Sequence, residues 1–114
     1  MWLDKGICGD RRYLSRATCE LFTTLKSRDS RRGLGFDKPD IEHTDNSPCS
    51  PEAPASVFGH TGFTGTCVWI DPDNELIFVF LSNRTYPSVY EQNNLVRYNI
   101  RTRMQQVMYQ SILH

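Results

Sequence analysis

The sequence predicts an α+β fold: an antiparallel sheet with a preceding helix and a C-terminal helix packed on it. Three observations carry that expectation. "TCVWID" (Thr66 to Asp71) and "ELIFVFLS" (Glu75 to Ser82) are strand-like runs joined by Pro72-Asp73-Asn74, the chemistry of a hairpin turn. Before them, Thr18, Leu21, Phe22 and Leu25 recur at i, i+3, i+4 and i+7, one stripe of a helix. After them, Ile100, Met104, Val107, Met108, Ser111 and Ile112 keep helical spacing to the C-terminus.

Taken in order, "MWLDKG" reads as the end of a helix. Gly6 suits the left-handed position past a helix C-terminus and Lys5 its last turn. An opening of this kind points to chain upstream of Met1. The first full helix spans Arg16 to Lys26, with Ser15 as N-cap. From Ser27 to Ala55 the chain is rich in Ser, Asp, Gly and Pro, and a loop of that length is commonly functional or disordered. Within it "GLGF" (Gly33 to Phe36) reads as a short strand whose glycines allow close backbone approach. Ser56 to His60 reads as another. "LIFVFL" is apolar at every position, which predicts a central strand covered on both sides. Ser88-Val89-Tyr90-Glu91 matches a capping box, but Asn93-Asn94 opposes a continuous helix, so an irregular segment is expected before the helix of Ile100 to Leu113. The chain divides into a helical lead-in (1–26), a long loop (27–55), the sheet (56–84) and a connector with the C-terminal helix (85–114).

Composition narrows the function. Thirteen basic and thirteen acidic side chains cancel, leaving no electrostatic footprint for nucleic acid. Arg97, Arg101 and Arg103 cluster locally, as expected of a solvated helix face. No apolar run has membrane-span length, and the N-terminus lacks a signal-peptide layout, so localisation stays open. Cys8, Cys19, Cys49 and Cys67 form no C-x-x-C pair and have no zinc-finger spacing with His43, His60 or His114. No metal or other cofactor is expected. Cys67, inside an apolar strand, should pack as a small hydrophobe.

The residues "GHTGFTG…WIDPDNELIFVFLSNRTYP" resemble the C-terminal section of serine β-lactamase-related hydrolases: class C β-lactamases, D-alanyl-D-alanine carboxypeptidases and related esterases. In that family a K-[ST]-G triplet, often with His first, lies on a strand lining the active site. "LSRATCELFTT" and "RRGLGFDKP" resemble the helix and segment ahead of that strand. The resemblance implies a partial β-lactamase/transpeptidase-like fold. It implies that His60, Thr61 and Gly62 form one wall of the site and that the backbone N–H of Phe63 is an oxyanion-hole donor. Thr64 and Asn83 fall where members contact substrate. The chemistry suits such roles. Gly62 has no Cβ to obstruct an acyl group, Thr61 offers a hydroxyl, and His60 a ring able to tune the field or shuttle a proton.

The family's other motifs are not found. A nucleophilic Ser in S-x-x-K would precede a Lys by three positions, but Lys5, Lys26 and Lys38 follow Trp2, Thr23 and Gly35. No Tyr or Ser is followed two positions later by Asn. Three readings follow. The chain is the C-terminal part of such a hydrolase, acting through an acyl-serine intermediate on a small acyl or peptide-like amide or ester once the missing N-terminal part of the fold is supplied, and inactive alone. In that case the sheet should show an exposed edge and uncovered apolar surface. Alternatively, it is a non-catalytic binding or interaction module derived from that fold. Last, H-T-G is coincidental in an unrelated small domain.

Overall fold

The computed structural model describes residues 1–24, 27–89 and 93–112. In order they form β1 (Ile7–Cys8), β2 (Arg11–Arg12), α1 (Arg16–Thr24), a 3-10 turn at Thr44–Asn46, β3 (Phe58–Thr61), β4 (Cys67–Asp71), β5 (Leu76–Phe80), α2 (Asn94–Arg97) and α3 (Ile100–Ile112). The expected α+β class is present. The main sheet is antiparallel with order β3-β4-β5, while β1 and β2 make a small separate hairpin that the sequence did not announce.

Register explains the core. Gly59, Trp69 and Phe78 form one row across the sheet, and His60, Val68 and Val79 form the next. Adjacent rows point to opposite faces. Trp69 lies across Gly59, where a Cβ would strike its ring and the Val68 carbonyl. On that face Cys67 and Trp69 pack with Cys49, Ala53, Val57 and Tyr109, and Leu76, Phe78, Phe80 and Met108 border the cluster. All four cysteines are free thiols, and Cys67 is buried as expected.

Polar groups fasten α3 to this face. The Tyr109 hydroxyl donates to Asp71 Oδ2 at 2.7 Å, and Asp71 also accepts from the Asp73 and Asn74 amides and from Asn74 Nδ2. One buried carboxylate therefore closes the hairpin turn and anchors the helix. Burial and the neighbouring Asp71 push the Tyr109 hydroxyl well above its ordinary range, so it stays a donor. Gln105 Oε1 accepts from the Ser50 amide at 2.8 Å, seating the loop before β3.

These bonds overturn the expected stripe on α3. Gln105 and Tyr109 face inward, whereas Met104, Val107 and Ile112 are exposed. A polar group with a buried partner can be sequestered at little cost, so apolarity alone did not choose the face. A similar correction applies to α1. Ser15 caps it as expected, its Oγ accepting from the Thr18 amide at 3.0 Å. Yet Cys19 is the buried residue, while Leu21 and Phe22 are exposed, and Leu25 and Lys26 lie outside the described residues.

Four further expectations change. "LIFVFL" is not a central strand: β4 holds that place and β5 is an edge with Ile77, Val79 and Leu81 exposed. One face is covered by α3 and the loop before β3. Among the described residues the other is covered at its Phe58 end, where Trp2, Phe36 and Phe58 stack edge-on at 5.1 and 5.0 Å. An exposed edge and uncovered apolar surface are thus both present. "GLGF" is not a strand. The bridge falls one residue later, where Asp37 and Gly59 exchange two backbone bonds of 2.7 and 3.0 Å. "MWLDKG" is a turn and not a helix, although Gly6 N–H to Met1 O and Lys5 N–H to Trp2 O reproduce a helix-ending bond pattern. In the connector, the short α2 is capped by the Asn93 side chain where irregular chain was expected. The Glu91 half of the capping box lies outside the described residues.

Candidate functional site

β3 and β4 are joined by residues 62–66, with Phe63-Thr64-Gly65 as the turn enclosed by the Gly62–Thr66 pair. Gly62 closes it, donating to Thr66 O at 2.7 Å and accepting from the Gly65 amide at 3.0 Å. Gly65 has φ +93°, the left-handed residue that ends this hairpin type. A Cβ on Gly62 would crowd Thr66 Oγ1 and force that side chain to shift. Gly65 is equally confined, since a Cβ would lie 2.6 Å from Ser82 Oγ.

The loop presents its outer groups to solvent. Phe63 is 72% exposed, and its amide donates to no acceptor among the described residues. That is the arrangement an oxyanion donor needs. Its carbonyl accepts from Arg84 Nε at 2.5 Å, and the Arg84 guanidinium lies 4.7 Å from the Phe63 ring centroid. Thr64 O accepts from the Arg84 amide at 2.8 Å and from Ser82 Oγ at 3.2 Å. Behind the loop, Arg101 donates to Gly65 O and Thr66 O at 3.4 Å. Arg101 therefore braces the hairpin, contrary to the expectation that it lay on a solvated helix face.

His60 is exposed at the edge of β3. Its Nδ1 lies 2.7 Å from Thr61 O, and its Nε2 lies 3.0 Å from an Arg32 guanidinium nitrogen. An open cleft of about 390 Å³ is lined by His60, Thr61, Gly62 and Thr66 at one end and by Val68, Val79 and Leu81 along its floor. Phe63, Thr64 and Asn83 do not line it. Asn83 is exposed and turned into its own bend, its Oδ1 accepting from Thr85 Oγ1 at 2.7 Å. Through Arg84 that bend still abuts Thr64, so all six expected residues gather at one end of the sheet.

Sequence reasoning missed three cations at this end: Arg32, Arg84 and Arg101. Arg84 sits inside the "LSNR" run, but nothing local marked its aim at Phe63. Arg32 comes from the long loop, whose length was the only signal. Among the described residues no cluster of His, Cys, Asp and Glu could hold a metal ion, and no helix is long and apolar enough to cross a membrane.

The β-lactamase family model matches residues 10–100, taking in α1, the long loop and the whole sheet. A protein of Escherichia coli O157:H7 named "Putative D-alanyl-D-alanine carboxypeptidase" is 36% identical over 90 residues, 76% of this chain and 20% of the relative. Its namesake in Escherichia coli strain K12 is 34% identical over 90 residues with the same coverage. One from Salmonella gallinarum is 33% identical over 91 residues, again 76% and 20%. The chain spans about a fifth of the length of these curated relatives.

Proposed function

Because the chain belongs to the β-lactamase family, we propose that it is the C-terminal part of one hydrolase domain and forms the wall of an acyl-serine site opposite the nucleophile. His60, Thr61 and Gly62 line the cleft, Phe63 offers its amide to the oxyanion, and Thr64 and Asn83 flank the substrate. The substrate is an amide or ester of small acyl or peptide-like character, in keeping with the names of the relatives. The observation that carries this reading is the amide of Phe63, which donates to no acceptor among the described residues and sits in the turn directly after His60, Thr61 and Gly62. Arg84 and Arg101, bonded to carbonyls of that loop, add a positive field where negative charge would develop.

The chain alone has no S-x-x-K serine, so it binds and polarises but does not attack. The nucleophile comes from the remaining part of the domain. Acylation would transfer the acyl group from the leaving amine or alcohol to that serine, and water would then release the acid.

The test joins this chain to the section of the Escherichia coli relative that precedes the matched part. A chromogenic acyl ester and an N-acyl-D-alanyl-D-alanine are offered to both forms. The chain alone should leave both intact and take no label from a serine-directed acylating probe, whereas the joined protein turns substrate over. Phe63 is the second residue of a turn in which Gly65 alone has positive φ, a position where proline is favoured. Phe63→Pro therefore deletes the N–H while keeping the turn, and kcat should fall by roughly 100- to 1000-fold, about 3 kcal/mol. His60→Ala should lower turnover far more than it alters stability. Turnover by the chain alone, or full activity in Phe63→Pro, would overturn the assignment.

A further inference from the structure

Arg32 reaches the site from a loop that the structure holds firmly. Its amide donates to Ser30 Oγ at 3.3 Å and its carbonyl accepts from Ser27 N at 2.8 Å. Gly33 N–H to Phe36 O, at 2.9 Å, closes the following turn. The two-bond bridge of Asp37 to Gly59 then seals the loop against β3 one residue before His60. The neighbouring Arg31 turns the other way and pairs with buried Asp37 at 2.9 Å. Of two adjacent arginines, one is matched by a carboxylate and the other is aimed at a histidine.

That aim fixes the histidine's chemistry. A guanidinium only donates, so Nε2 of His60 must accept and carry no proton. Thr61 O only accepts, so the Nδ1 facing it at 2.7 Å must donate. One protonation state satisfies both contacts: the neutral ring with its proton on Nδ1. The proton shuttle that the sequence alone made conceivable needs a free Nε2, which is here occupied.

We infer that Arg32 is a positioning residue of this site. Its guanidinium holds His60 in the neutral Nδ1–H tautomer and itself carries the positive charge at this edge of the cleft. The consequence for turnover rests on the function proposed above, whereas the tautomer does not.

The test is made on the chain with ¹⁵N-labelled imidazoles, in long-range ¹H–¹⁵N spectra, with His60 identified by the signals lost in His60→Gln. His60 should show a protonated Nδ1 and an unprotonated Nε2. Arg32→Ala should move the ring toward the Nε2–H form, bringing the two nitrogen shifts together or exchanging them. Arg32→Lys, which keeps a donor, should restore the native pattern in whole or in part. Arg32 is exposed and its loop is held by backbone bonds, so Arg32→Ala should fold, as unchanged amide shifts across β3, β4 and β5 would verify. Arg32→Met, which removes both charge and donor, gives a second loss should it not. A native His60 protonated on Nε2, or a ring indifferent to both Arg32→Ala and Arg32→Met, overturns the inference. In the joined protein, Arg32→Ala should lower kcat by roughly ten- to a hundredfold with KM little changed, the signature of misplacement. Should the tautomer move while Arg32→Ala and His60→Ala both leave turnover intact, the role of the site in hydrolysis falls and the tautomer assignment stands.

Discussion

On one face of the β3-β4-β5 sheet, Trp69, Phe78 and Phe80 pack beneath α3. One residue along the same strands, Val68, Val79 and Leu81 stand in solvent. Both rows are apolar, and by residue type either could have been the core. What separates them is coverage. α3 and the loop before β3 lie on the first face, tied down by Tyr109 to Asp71 and by Ser50 to Gln105. Among the described residues the second face has an aromatic lid of Trp2 and Phe36 at the Phe58 end, and further along it becomes the floor of the His60 cleft. The difference teaches that the two faces do separate work: one holds the hairpin in place, and the other presents it.

That contrast can be broken at graded points. The largest effect is expected at the covered face. Trp69 is 2% exposed, and Trp69→Ala should cost about 3–5 kcal/mol. Read as a urea midpoint, such a loss takes a large part of a typical domain's stability. A smaller loss, of about 1.5–3 kcal/mol, is expected for Tyr109→Phe, which removes a hydrogen bond to a buried carboxylate. The same variant changes the pH profile. Burial raises the Tyr109 hydroxyl above its ordinary value of 10.0, so its contribution is complete below that pH and lost as pH rises beyond it, where the unfolded chain releases the proton and the folded chain does not. Stability measured from pH 8 upward should therefore decline less steeply in Tyr109→Phe. The Cys49 and Cys67 thiols, also raised by burial, keep a decline from about pH 9 in both proteins. The smallest effect belongs to the open face: Val79→Thr should stay within about 0.5 kcal/mol of the native chain. A loss there as large as at Trp69 would mean that the open face is covered in solution.

Much of this was legible locally. The hairpin followed from Pro72-Asp73-Asn74 between two β-rich runs, and the structure adds that Asp71 closes that turn through three bonds of its own. Ser15 was legible as a cap because a cap needs only its own next three residues. The H-T-G-F residues were legible through family resemblance and lie together on one strand and loop. Contacts between distant segments were not legible. Arg32 meets His60 across 28 positions and Arg101 meets Gly65 across 36, and no pattern within either segment records the other. The stripes on α1 and α3 failed for the same reason. A stripe states which residues could be buried together, whereas Tyr109 and the Gln105 side-chain oxygen meet buried partners in Asp71 and the Ser50 amide.

The sequence by itself determined the α+β class, the hairpin, the cap of α1 and the family, since each rests on neighbouring residues or on a motif read along the chain. Tertiary structure alone decided which face of the sheet is covered, that β5 is an edge, which side of α3 faces inward, and which nitrogen of His60 meets a guanidinium. Those outcomes depend on what lies opposite each residue in space, and a free energy of burial or of hydrogen bonding exists only once that partner is in place.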